Sequence, residues 1–362
     1  MTGEMLLTGV TGYIGSSLLQ KWLDCTDNKI HLLVRSRHEE RPRDRIERVL
    51  TGFYPDEDIS RFSGRIEVLE GDVSLDSFGL KREAYEGLGE KICHVLHCAA
   101  AARFDLELED ARKTNVGGTV NVLDFARTCK GLERVDYIGT AYVAGRRKGI
   151  IKEDELDRGQ QHNNTYERSK FEAEKIVRER MSQLPIAIHR LSIVICDSRT
   201  GRASSYNGFY RVLRMYSLGL LKMLPGYPSS PLDLVPVDYV SDAVYSLSAN
   251  RASLGRCYHL TAGLNKTTTL GEIRDLAGHH FGRDPFALIP PEEFLAYVSQ
   301  MENRLSRGER DAVDEIRLYL PYMSSELKFD NSSALRETGI EAPEVASYFG
   351  KMAEYIVKGD AE

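Results

Sequence analysis

A doubly wound α/β fold, a parallel sheet with a smaller and mostly helical C-terminal region, is the architecture that this sequence predicts. Three observations predict it. Short apolar runs alternate with helix-like segments through the first half of the chain, a glycine-rich turn joins the first run to the first helix, and the alternation fades beyond about Thr200 into Gly-, Pro- and Tyr-rich sequence.

Taken in order, Met5 to Leu7 reads as a strand, Ser16 to Leu23 as a helix and Ile30 to Val34 as a second strand, the rhythm of a βαβ unit. Ile66 to Leu69, Val95 to Cys98 and Val135 to Ile138 continue the strands, and Gly118 to Ala126 supplies a helix. The charged stretch Arg37 to Phe62 is long for a connection and reads as a helix around Arg45 to Leu50 with a loop. Leu234 to Val237 looks like a returning strand. Between Pro290 and Met323, Phe294, Leu295, Val298, Met301 and Leu305 share one face of a charged helical segment, as in a helix that caps a site.

Composition excludes some functions. A length of 362 residues accommodates one large α/β domain plus an appendage, because single cores stop growing near ~250–300 residues. The net charge of -6 argues against a surface built for nucleic acid. No apolar stretch approaches the ~20 residues that span a bilayer, and Met1-Thr2-Gly3-Glu4 has no basic region or cleavage-like site. Cys25, Cys93, Cys98, Cys129, Cys196 and Cys257 form no CxxC pair and read as reduced thiols, so a cytoplasmic protein is expected. His279 and His280 are adjacent rather than at ligand spacing, so no metal site is expected.

The turn after the first strand reads Thr8-Gly9-Val10-Thr11-Gly12-Tyr13-Ile14-Gly15. Gly9 permits the tight turn, Gly12 lets backbone amides approach a pyrophosphate, and Gly15 lets the helix pack closely on the strand, with the helix N-terminus facing the anion. The second strand ends in Val34-Arg35-Ser36-Arg37, where an acid would mark an NAD ribose. Arginine there meets a 2′-phosphate instead, so Arg35, and after it Arg37, point to NADP(H); the alternative is a solvated charged turn. Asp72, before Val73, follows the third strand, where a carboxylate can accept from an adenine amino group. Cys98-Ala99-Ala100 follows the fourth, where small residues admit the cofactor.

Tyr166 and Lys170 lie four residues apart and share one face if the helix that follows extends back to them. A free phenol titrates near ~10, and a neighbouring ammonium would favour its phenolate. The spacing alone is equally that of a solvated helix face. Thr140, at the end of the Val135 strand, could bond a substrate oxygen beside the tyrosine, and Asn115 opens the preceding helix, unless the two are a strand-end residue and an N-cap. Together, in this order and on these elements, the parts form a joint pattern that is specific where each part is not.

With these motifs the chain resembles the extended short-chain dehydrogenase/reductase superfamily over nearly its whole length. Within it the chain is most similar to the thioester reductases: fatty acyl-CoA reductases, carboxylic acid reductase termini and reductive-release domains of peptide and polyketide synthetases. The residues that carry this are Leu6 to Gly9, Leu33 to Arg35, Gly71 to Val73 with Gly79-Leu80, His97 to Ala100, Thr114 to Thr119, Thr140 to Val143, Tyr166 to Glu174 and Val235 to Val240. Two departures stand out: Gly139 replaces a usual serine, and His189-Arg190-Leu191-Ser192 lacks the proline common after the arginine.

The resemblance implies a Rossmann-type NADP-binding domain over 1–200, carrying Thr140, Tyr166 and Lys170 as catalytic residues, and a substrate-binding region over 201–362, with about 234–262 returning to the core. It implies reduction of a thioester to an aldehyde, and on to an alcohol if a second hydride follows. No carrier or adenylation segment is present in the sequence, so the acyl group is expected as acyl-CoA or on a separate carrier protein. Arg146-Arg147-Lys148, Arg211, Arg214 and Lys222 are then contacts for phosphate or an acidic carrier, or ordinary solvated charges. Tyr206 to Tyr216 is either an acyl channel or a core helix. A ketoreductase, a hydroxysteroid-type dehydrogenase, a nucleotide-sugar epimerase and a non-catalytic NADP-sensing protein are the alternatives.

Overall fold

The computed structural model describes residues 3–37, 40–203, 208–301 and 306–358, so the expectations at Tyr206 and Leu305 fall outside the described residues. Seven parallel strands form the central sheet: β1 (Glu4–Thr8), β2 (Lys29–Val34), β3 (Ile66–Glu70), β4 (Ile92–His97), β5 (Arg134–Thr140), β6 (Ile186–Leu191) and β7 (Cys257–Leu260). Their order across the sheet is β7-β6-β5-β4-β1-β2-β3. The direction of winding reverses between β1 and β4, and at such a switch point the strand ends leave a crevice for a ligand.

Helices cover both faces, which is why the middle strands read as continuous apolar runs and why every residue of β5 is buried. On one face the helix Tyr13–Cys25 packs against Val237–Ala249, with Trp22 and Leu18 sealed between helices and sheet. On the other, Phe125 and Val122 of the helix Gly118–Thr128 and Ala173 and Val177 of the helix Thr165–Arg180 close the core. Thr165–Arg180 starts where Asn164 caps it, its Oδ1 accepting from the Glu167 backbone at 2.9 Å.

The edge of the sheet away from the crevice is tied by a polar knot. The fully buried Asp136 carboxylate accepts from Arg134 Nε (2.8 Å) and Ser248 Oγ (2.7 Å) and pairs with His94 and His189 (both 2.7 Å), linking β4, β5, β6 and the helix Val237–Ala249. Arg134 holds its charge well below the usual carboxylate range against the cost of burial.

The strand-like Leu234 run is Leu234–Pro236 and pairs with Ile193–Ile195 in a separate two-stranded ribbon. The strand that rejoins the central sheet from the second half is β7, beside β6. The later part of the chain builds its own apolar cluster from the helices Gly208–Ser217, Leu270–Phe281, Pro291–Met301 and Val345–Lys358. The segment expected to cap the site is two helices: Pro291–Met301 buries Phe294 and Val298 in this cluster away from the crevice, and Arg307–Met323, the capping helix, crosses the crevice with Tyr319, Tyr322 and Met323 on its wall.

Candidate active site

A cavity of about 650 Å³ opens along the C-terminal ends of the sheet strands. Its floor is the glycine turn. Gly9 has φ +75°, and a Cβ there would lie 2.5 Å from the Ala99 amide; at Gly15 it would lie 2.2 Å from the Gly9 carbonyl. Only glycine permits this close approach of turn, helix and the segment after β4. A Cβ at Gly12 would touch nothing nearer than the Gly9 carbonyl at 3.3 Å, so its open side faces the cavity. No side chain caps the helix that begins at Tyr13, leaving its first-turn amides directed at the space where a phosphate would sit.

Neighbouring side chains stiffen this cradle. Thr8 is fully buried; its hydroxyl accepts from the Ala99 amide at 3.2 Å and bonds His97 Nδ1 at 2.8 Å. His97 also reaches Thr119 Oγ1 at 3.2 Å, and burial holds it neutral by pushing its pKa down to about 3. Tyr13 donates its hydroxyl to the Ile195 carbonyl at 2.5 Å, and Ile14, Val73, Cys98 and Ala100 line the cavity beside it. Asp72 lies on the wall with one carboxylate oxygen accepting from the Ser74 amide at 2.8 Å.

Three arginines converge at one rim. Arg35 and Arg37 are exposed and line the cavity with Arg45 from the helix Pro42–Thr51. Arg45 donates to the Arg35 carbonyl at 2.6 Å and to Thr11 Oγ1 at 2.8 Å. Burial lowers its pKa, and the like charges of Arg35 and Arg37 add to that. Sequence reasoning placed Arg45 on a helix but not at the site, because only folding brings it back onto the glycine turn.

At the centre stand Thr140, Tyr166 and Lys170. Thr140 ends β5, donates to the Leu191 carbonyl (3.3 Å), accepts from the Tyr142 amide (3.2 Å) and lies beside the Tyr166 hydroxyl, where it favours the phenolate. Lys170 is buried, donates to the Ile138 carbonyl at 2.8 Å and lies 4.3 Å from the centre of the Tyr137 ring. Burial draws its pKa down to about 8. Burial pushes Tyr166 up to about 12, and Thr140 draws it down.

Asn115 does not open a helix. It lies within a π turn, Lys113–Gly117, in a continuous helical run, where its wider coil turns the side chain toward the core. Asn115 Oδ1 accepts from the Ala101 amide (2.7 Å), and Nδ2 donates to the Ala101 carbonyl (3.1 Å) and Ser169 Oγ (2.9 Å), joining the segment after β4 to the Tyr166 helix. That helix is anchored to β6 by Glu174, which pairs with the fully buried Arg190 at 2.8 Å.

The two departures are mild. A Cβ at Gly139 would meet Tyr137 at 3.4 Å, an ordinary contact, and Leu191 continues β6 opposite Thr140 while its side chain lines the cavity. Beyond Tyr166 the wall is aromatic and then aliphatic, through Phe104, Tyr142, Tyr319 and Tyr322 to Phe209, Val212 and Leu213. Of the basic residues noted above, Arg147 pairs with Glu155, Lys148 with Glu326 and Arg211 with Glu315. Among the described residues no group of three His, Cys, Asp or Glu side chains could hold a metal, and no helix is long and apolar enough to cross a membrane.

Glycine cradle, unblocked helix amides and the Tyr166 hydroxyl fit a nicotinamide dinucleotide laid across the switch point. The comparisons agree with this geometry. The reductase domain that terminates the myxalamid polyketide–nonribosomal peptide pathway is 28% identical, with a TM-score of 0.86 over 99% of this chain and 91% of that one. The noncanonical nonribosomal peptide synthetase cpsA of Aspergillus campestris is 29% identical over 91% of this chain, and fatty acyl-CoA reductase 1 of Rattus norvegicus is 27% identical over 82%. The chain spans 31% of the former's length and 65% of the latter's. Residues 7–244 match the NAD-binding family described as "Male sterility protein", so the chain belongs to that family.

Proposed function

We propose that the protein is an NADP(H)-dependent reductase of acyl thioesters, yielding an aldehyde and, where a second reduction follows, an alcohol. One observation carries the proposal: the Thr140–Tyr166 hydroxyl pair faces a cavity that has a dinucleotide cradle on one side and an apolar wall on the other. The relatives' names, a fatty acyl-CoA reductase and a terminal reductase domain, support the same substrate class.

In this reading residues 1–200 bind the cofactor, with Thr8, Gly9, Thr11, Gly12, Tyr13, Ile14 and Gly15 under the pyrophosphate. Asp72 and Val73 lie by the adenine, Cys98, Ala99 and Ala100 along the backbone, and Asn115 behind them. Residues 201–362 shape the acyl pocket. A reduced nicotinamide held there supplies hydride to a carbonyl. Tyr166 donates a hydrogen bond to the carbonyl oxygen as negative charge grows on it, joined by Thr140 once its single proton turns from the Leu191 carbonyl, and Tyr166, protonated at neutral pH, gives up its proton. Lys170 stands behind it as a fixed positive charge and ribose contact. The hemithioacetal so formed then expels its thiol.

NADP(H) rather than NAD(H) rests on Arg35, Arg37 and Arg45, three cations gathered where the 2′-oxygen would lie. The thioester comes from acyl-CoA or a carrier protein, for which the fatty acyl-CoA reductase and the terminal reductase domain of the myxalamid pathway are the precedents. The free cysteines support a reducing, cytoplasmic compartment.

The test is a panel of acyl-CoA and carrier-bound thioesters, aldehydes and ketones offered with NADPH or NADH, with the products identified. Thioesters left intact while a ketone or sugar is consumed would overturn the proposal. A preference for NADH would overturn its cofactor half.

A further inference from the structure

The chemistry of Tyr166 leaves the next residue, Glu167, without a role, yet Glu167 is a fully buried carboxylate that makes no ion pair among the described residues. Such a group is costly unless hydrogen-bonded. Oε1 accepts from the Tyr322 hydroxyl at 2.7 Å and from Asn163 Nδ2 at 3.2 Å, and Oε2 accepts from the Asn163 amide at 2.8 Å. The Tyr322 hydroxyl in turn accepts from Asn164 Nδ2 at 2.8 Å. Two residues at the start of the Tyr166 helix thus grip one hydroxyl of the helix Arg307–Met323.

That hydroxyl belongs to a ring on the cavity wall. Tyr322 stacks on Phe104 at 5.5 Å and meets Tyr142 edge-on at 5.0 Å, and Phe104 lies 5.8 Å from Tyr166. A displacement of the capping helix would therefore pass through Tyr322 and Phe104 to the space beside the Tyr166 hydroxyl.

We propose that Glu167 and Tyr322 are a positioning pair, whose hydrogen bond sets the capping helix against the Tyr166 helix and so holds the aromatic wall that seats the acyl group. The inference rests on reading the cavity as a thioester-reduction site. The pair acts through Phe104 and the wall, while cofactor contacts on the opposite side of the cavity are untouched.

The test compares Tyr322→Phe, which deletes only the hydroxyl, with Glu167→Gln, which keeps the shape and one acceptor oxygen, in the full chain with NADPH. Loss of a hydrogen bond to a buried carboxylate should raise KM for the thioester about tenfold in Y322F and about threefold in E167Q, with KM for NADPH moving less than about twofold. Backbone hydrogen exchange over Arg307–Met323 should speed up in both variants. An unchanged thioester KM, or KM for thioester and NADPH rising together, overturns the proposal; where Y322F does not fold, E167Q decides.

Exchange needs no substrate, which keeps the two readings apart. Wild-type protein that consumes no thioester sinks the reductase reading, whereas exchange over the capping helix as slow in both variants as in wild type sinks the positioning pair.

Discussion

Replacing Arg45 by alanine should separate the two nicotinamide cofactors. Among the described residues its guanidinium bonds only neutral oxygens, the Arg35 carbonyl and the Thr11 hydroxyl, while Arg35 and Arg37 press on it with like charge. Three mutually repelling cations are stabilised together when a dianion sits among them. A charge-assisted hydrogen bond contributes ~1.5–3 kcal/mol, so kcat/KM for NADPH should fall about 10- to 150-fold in Arg45→Ala. Arg35 is exposed, and water screens its contact, so Arg35→Ala should lose only about 3- to 10-fold. NADH lacks the 2′-phosphate and should change less than about threefold in either variant. Initial rates with each cofactor at a fixed thioester concentration measure the ratio, and raising the ionic strength should erode it. Equal losses with NADPH and NADH would refute the reasoning, because Arg45 would then act on the glycine turn through Thr11 and not on a phosphate.

Other consequences are as specific. Tyr166→Phe should lower kcat about 10²- to 10⁴-fold while fluorescence titration shows NADPH still bound, since only the proton donor is removed. With Lys170 drawn down to about 8 and Tyr166 pushed up to about 12, the donor stays protonated through neutral pH; reduction should fall as pH rises through about 8, where Lys170 loses its charge, and a pH–rate profile without that alkaline limb would contradict this. Gly15→Ala places a methyl 2.2 Å from the Gly9 carbonyl and should cost about 1–3 kcal/mol in thermal unfolding together with most cofactor affinity. Glu174→Ala strands Arg190 with no exposed surface and should cost about 3–5 kcal/mol, read as a lowered denaturation midpoint.

What could be read from the chain before folding was local. The glycine turn, Tyr166 with Lys170, and Thr140 at a strand end are each set by the next few residues: φ +75° at Gly9, i to i+4 on one helix, the last position of β5. The strands were legible because parallel strands buried on both faces are apolar throughout. Arg45, Phe104 and Tyr322 were not, because predicted site residues nearby in sequence, such as Arg37 and Ala100, do not fix where these side chains land; sheet topology and the crossing of the capping helix place them at the cavity. Asn115 was misjudged for a related reason. A π turn has no short-range signature here, so its side chain reads as a cap and is instead a cross-link between Ala101 and Ser169.

The same distinction bears on how Tyr166 and Lys170 cooperate. Four residues of spacing put the two on one face of the helix, and a nearby ammonium favours the phenolate through its charge without a hydrogen bond to the hydroxyl. Lys170 donates to the Ile138 carbonyl and sits over Tyr137, while Tyr166 lies by Thr140 and Phe104. Burial acts on both in the direction of neutrality, raising the phenol and lowering the ammonium. A phenol held at about 12 is a reluctant base, and its proton is in place whenever a carbonyl oxygen begins to gain charge. That bias suits reduction, where the proton moves to the substrate, and it makes the reverse oxidation slow at neutral pH. Comparing aldehyde reduction with alcohol oxidation in one buffer series tests the point: oxidation should climb as pH rises while reduction declines. Parallel profiles in the two directions would mean that some group other than Tyr166 handles the proton.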